Sequence, residues 1–76
     1  QDRSGDAIAA ASRAVQLAVD NDCPEVLVAE LRHTKADLLR QADRDKEAVE
    51  ELNAVANVRM PPTLRSRFLH LKALLL

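Results

Sequence analysis

Shifted by 37 residues, the sequence matches itself at ten of 39 overlapping positions, and this internal period constrains the fold more than any other feature. The shift superposes Pro24 on Pro61, Leu27 on Leu64, His33 on His70, Lys35 on Lys72 and Ala36 on Ala73. It also pairs Ala11 with Ala48, Leu38 with Leu75, Leu39 with Leu76, Arg3 with Arg40 and Asp6 with Asp43. Val15 meets Leu52 and Leu31 meets Phe68, apolar for apolar. Ala-rich helical sequence generates chance matches, but recurring proline and histidine are harder to obtain that way. A period of this size describes a supersecondary unit that buries its apolar face by stacking on the next one.

The units read as all-α. Phe68 is the one aromatic residue, so a core must come mainly from Ala, Val and Leu. Ala and Leu are strong helix formers and permit close helix packing. There is one glycine, and no Asn-Gly or Asp-Gly turn; strand signals are nearly absent. Four helices are expected, over about 6–20, 25–41, 45–58 and 63–76, within a single segment covering 1–76. Ser4 is a candidate N-cap for the first, whose apolar stripe reads Ala7, Ala11, Ala14, Val15, Ala18 and Val19. Pro24 ends the Asn21–Cys23 turn and opens the second helix, with Leu27, Val28, Leu31, Ala36, Leu38 and Leu39 as its apolar positions. Asp43 or Asp45 is the expected cap of the third, which carries Ala48, Val49, Leu52, Val55 and Ala56. Met60-Pro61-Pro62 breaks the chain before the fourth. Short connections make neighbours antiparallel.

With the repeat and the hairpins in place, Ala36, Leu39, Ala48, Leu52, Val55 and Pro61 fall in the relation found in tetratricopeptide units, which this sequence resembles. Such a unit has a small residue late in its first helix, a large apolar one three further on, and an alanine early in its second. The turn Ala42 to Val49 is similar to the family's inter-helix turn. Arg32 and Lys35 depart from the pattern, standing where the family has an aromatic and an apolar residue. No glycine precedes Ala48, and the period exceeds the usual value of about 34. The resemblance implies antiparallel hairpins stacked as an α-solenoid fragment of about four helices. Pro24 to Val58 is then one unit, flanked by the second helix of a preceding unit and the first of a following one.

In that family the first helix of each unit lines a concave groove that holds a peptide or a partner helix. Carried over, the groove set is Glu30, His33, Asp37 and Arg40 on the second helix with Arg67, His70 and Leu74 on the fourth. The second-helix residues share one polar face, which also reads simply as the solvated side of an amphipathic helix. His33 and Asp37 replace the residues with which some members clamp a C-terminal carboxylate, so that ligand is disfavoured. His33, Asp37 and His70 form a weak metal pattern, better read as surface residues. Cys23 has no basic neighbours in sequence to activate it and reads as an inert thiol.

Charge and composition narrow the function further. Eleven basic residues oppose twelve acidic ones, which gives no global basic field for nucleic acid. A single cysteine fits a reducing compartment. No apolar run approaches the roughly 20 residues that span a bilayer, and no signal segment is evident, so a soluble cytoplasmic protein is expected. No phosphate loop, nucleophile elbow or metalloprotease motif occurs, and the expectation is a non-enzymatic chain without cofactor or metal. The leading functional expectation is a protein–protein interaction module, a helical-repeat scaffold segment excised from a larger protein. The fourth helix is apolar on almost every side, through Leu64, Phe68, Leu69, Leu71, Ala73 and Leu74 to Leu76, which points to cover by further chain or by a second copy. The alternatives are a homo-oligomerising helical bundle and a helix-turn-helix that places Thr63 to Arg67 in a DNA groove.

Overall fold

Helix-forming Ala, Leu, Glu and Arg recur along the chain, and four helices form with turns between them. The computed structural model describes residues 3–75, and side chains from residue 5 onward. It contains α1 (Arg3–Asp20), α2 (Glu25–Gln41), α3 (Asp45–Ala54) and α4 (Pro62–Leu75), with no strand among the described residues. The all-α class follows directly. Leu76, expected within the fourth helix, lies outside the described residues.

The first two helices end in the same way. Cys23 N donates to Ala18 O at 3.0 Å and Asp22 N to Val19 O at 3.2 Å. After α2, Arg44 N donates to Leu39 O at 2.8 Å and Asp43 N to Arg40 O at 3.1 Å. These crossed bonds are Schellman motifs, which satisfy last-turn carbonyls and require a left-handed residue just past the helix. Asp22 (φ 54°) and Asp43 (φ 61°) fill that place. Glycine is usual there, but a short polar side chain tolerates the conformation at modest cost. The glycine absent from the α2–α3 turn is therefore replaced functionally by Asp43.

The expected N-caps are corrected. α1 already includes Ser4 in its first described turn. Pro24 precedes α2, and Arg44 occupies the cap position of α3 without a side-chain cap bond. Asp43 is committed to the left-handed turn and Asp45 is already helical, where its carboxylate favours the N-terminal dipole instead. α3 also stops at Ala54 rather than Val58. Val55, Ala56 and Val58 donate to the carbonyls three residues back, a tighter geometry suited to Asn and β-branched residues with weak helix propensity. The tightening leaves Val55 only 3% exposed.

α2 is the hub. It packs against α1, α3 and α4, whereas α1 touches no other helix among the described residues, and α4 rests on both α2 and α3. The core joins Ile8 of α1, Ala29, Ala36 and Leu39 of α2, Ala48, Leu52 and Val55 around α3, and Leu64, Phe68 and Leu71 of α4. Ala29, Ala36 and Ala48 are completely buried, as expected where two backbones come close. Ile8 and Ala29 complete stripes that periodicity alone left open. Val19 and Leu27, assigned to those stripes, are 46% and 41% exposed. With one neighbour instead of two, α1 needs only a narrow apolar strip, and Val19 falls beyond it.

Arg32 and Lys35 join α2 to α3. Arg32 Nη1 and Lys35 Nζ each lie 3.0 Å from Glu51, on its two carboxylate oxygens, and all three side chains are largely buried. Ion pairing thus forms part of the α2–α3 seam beside the buried alanines.

Two outcomes follow for stability. Ala48→Leu forces added volume into a fully buried site and should cost about 1–3 kcal/mol, whereas Lys46→Leu on the exposed side should stay within about 0.5 kcal/mol. Comparable shifts of the two variants in urea unfolding would contradict this register. Asp43→Gly should raise stability by up to about 1 kcal/mol by relieving the left-handed residue, and Asp43→Val should lower it; thermal unfolding distinguishes the two.

Candidate functional site

The hub position of α2 leaves one side of it facing α4, and a cleft of about 440 Å³ runs between them. His33, Asp37 and Arg40 line it from α2, at spacings of four and three that keep them on one face. Ser66, Arg67, His70, Leu71 and Leu74 line it from α4. Six of the seven residues singled out in sequence thus share a single cleft. Glu30 does not. It sits one turn before His33, exposed, with its carbonyl accepting the Thr34 hydroxyl at 3.2 Å.

His33 forms the contact that closes the inner end. Its Nε2 donates to the Arg67 carbonyl at 3.3 Å, which assigns the neutral ring as the Nε2–H tautomer. Its ring meets Phe68 at a centroid distance of 5.1 Å, tilted by 58°. Burial lowers the His33 pKa below its ordinary 6.5, helped by the nearby Arg67 charge and opposed by the backbone hydrogen bond to Arg67 and by Asp37.

On the same wall Asp37 is held in place by its own helix. Arg40 Nη2 donates to Asp37 Oδ1 at 3.0 Å and Gln41 Nε2 to Oδ2 at 3.0 Å. This pairing leaves Arg40 Nε buried without an acceptor. A buried donor without a partner is costly, typically about 1–3 kcal/mol. His70 and Arg67 are exposed on the opposite wall, and Leu74, 54% exposed, gives the outer end an apolar edge. Ser66 and Leu71 were not anticipated. Leu71, only 3% exposed, supplies the apolar floor, and its i+4 spacing from Arg67 is the signal that could have found it.

The arrangement is suited to recognition. Its polar groups are donors and acceptors fixed along a shallow, partly apolar channel. Among the described residues no group of three His, Cys, Asp or Glu side chains comes together to hold a metal ion. Cys23 is half-buried in the α1–α2 link. No described helix is long and apolar enough to cross a membrane.

The depressed His33 pKa has a signed consequence. Its folded state resists protonation, so its contribution is complete above about 6.5 and is lost as pH falls from there through the lower folded value. His33→Gln should flatten that part of the pH profile. Urea unfolding at pH values on either side of 6.5 checks it, and an unchanged slope in the variant would refute the assignment.

No protein-family model, curated protein or solved structure matches this chain.

Proposed function

We propose that this chain is a protein–protein interaction module: a tetratricopeptide-like scaffold segment that holds a partner peptide or helix in the α2–α4 cleft. The observation that carries the proposal is convergence. His33, Asp37 and Arg40 share one channel with Arg67, His70 and Leu74, although they lie a full repeat apart in sequence. Peptide backbones supply acceptors at regular intervals, and a side chain of the guest can pack on Leu71 and Leu74. The role is non-enzymatic, without cofactor or metal, and the cytoplasm is its proposed location.

Self-association is the second reading, favoured by Leu69 and Leu74 at 60% and 54% exposure. Such side chains on one helix can pair around a two-fold axis. DNA binding gains nothing comparable, because Arg65 and Arg67 line different clefts and form no single footprint.

Peptides selected from a random display library against the folded chain test the leading reading. Arg67→Glu and Leu74→Asp should each weaken the selected peptides by about tenfold or more, and Lys46→Leu should not. Selected peptides indifferent to both changes would place recognition elsewhere, and a concentration-dependent doubling of mass by light scattering would favour the second reading.

A further inference from the structure

The internal repeat makes α4 the counterpart of α2, so the surroundings of α2 state what α4 lacks. On α2, Arg32, Lys35 and Ala36 face α3, where Ala36 is fully buried and both cations hold Glu51 at 3.0 Å. The 37-residue shift carries them to Leu69, Lys72 and Ala73, and Val28 to Arg65. All four of these α4 residues are exposed, with Leu69 at 60%. The face that receives a helix on α2 is therefore bare on α4.

That face opens onto a second cleft of about 400 Å³, on the side of α4 away from the His33 channel. Leu52, Val55, Phe68 and Leu69 contribute its apolar surface. Three cations rim it: Arg59, Arg65 and Lys72. No carboxylate lines it, and none of the three makes a salt bridge among the described residues. An apolar floor under unpaired cations complements a guest that is apolar and anionic together.

We propose that this cleft is a second docking site, for an acidic amphipathic helix of another protein that lies along Arg65, Leu69 and Lys72 as α3 lies on α2. A carboxylate of the guest reaches Lys72 in the way Glu51 reaches Lys35, and an apolar side chain enters beside Leu69 and Phe68. A second copy is a poor occupant. Its acidic helix, with Asp45, Glu47, Glu50 and Glu51, already carries core residues Ala48 and Leu52 against its own neighbours. Its α1 has one acidic residue near each end, Asp6 and Asp20, and none between. Nucleic acid phosphates would match the cations but leave the apolar floor unused.

The test uses a fluorescent helical peptide with Glu on one face and Leu on the other, titrated into the full chain. Binding should be saturable and should weaken with added salt. Arg65→Glu and Lys72→Glu should each reduce affinity about tenfold, and Leu69→Ser should do likewise. All three positions are exposed, so the variants should keep the parent circular dichroism; in the wild-type chain, amide shifts on adding peptide should cluster from Leu52 to Lys72. Arg67→Glu should leave this affinity unchanged, which separates this site from the α2–α4 channel. The proposal is overturned by failure of the peptide to bind, by equal binding of a Lys-for-Glu peptide, or by indifference to Arg65→Glu and Lys72→Glu. Tighter binding of duplex DNA or anionic vesicles at the same residues, or a dimer that buries Leu69, would overturn it equally.

Discussion

Close approach of α2 to its neighbours is the constraint on which the rest of this structure depends. A chain with one aromatic residue cannot fill wide gaps between helices, so the gaps must be narrow. Ala29, Ala36 and Ala48 make them narrow: each is fully buried and none holds the neighbouring backbone away. Larger side chains then close the margins, Leu39 and Leu52 beside the alanines and Phe68 where α4 arrives. Because α1, α3 and α4 all pack on α2, its placement sets theirs. The α2–α4 channel forms where α4 rests on both α2 and α3.

The ion pairs of Glu51 contribute differently from the alanines. Carboxylate and cations are largely withdrawn from water, and the cost of desolvating them offsets much of their attraction. What such a contact supplies is discrimination. An apolar surface of Ala and Leu permits several registers of nearly equal energy, but two cations meeting one carboxylate at 3.0 Å each fit only one of them. In a repeat with little steric variety, charge takes over the specificity that bulky aromatic side chains would give.

Helix positions and the all-α class were legible because proline punctuation and apolar spacing are local properties. α2 in particular runs Glu25–Gln41, as its pattern predicts. The ends were less legible. Nothing local says whether Asp43 will cap the next helix or adopt the left-handed turn of the previous one, and the choice depends on how sharply the chain must reverse. Periodicity did not fix exposure: Val19 and Leu27 have the spacing of core residues yet are 46% and 41% exposed. At the site, the face shared by His33, Asp37 and Arg40 could be read from periodicity, and Arg67, His70 and Leu74 across the cleft are the 37-residue counterparts of Glu30, His33 and Asp37. The bond from His33 to the Arg67 carbonyl could not be read, since it depends on a sub-ångström fit between helices.

Repetition with divergence gives α4 two unlike sides. Toward α2 it presents Arg67, His70 and Leu74 to groups already engaged with one another, Asp37 with Arg40 and Gln41. A guest there meets a polar network whose charges already answer one another. Toward α3 and the linker it presents Arg65, Leu69 and Lys72, and among the described residues no side chain pairs with their charge. A guest there meets open cations over an apolar floor and must bring the opposite charge itself. The difference arises at corresponding positions: Arg32 on α2 has its Glu51, whereas Leu69 on α4 has exchanged charge for an exposed apolar surface. One copy of the repeat covers this face with α3, and on the other the same face is exposed.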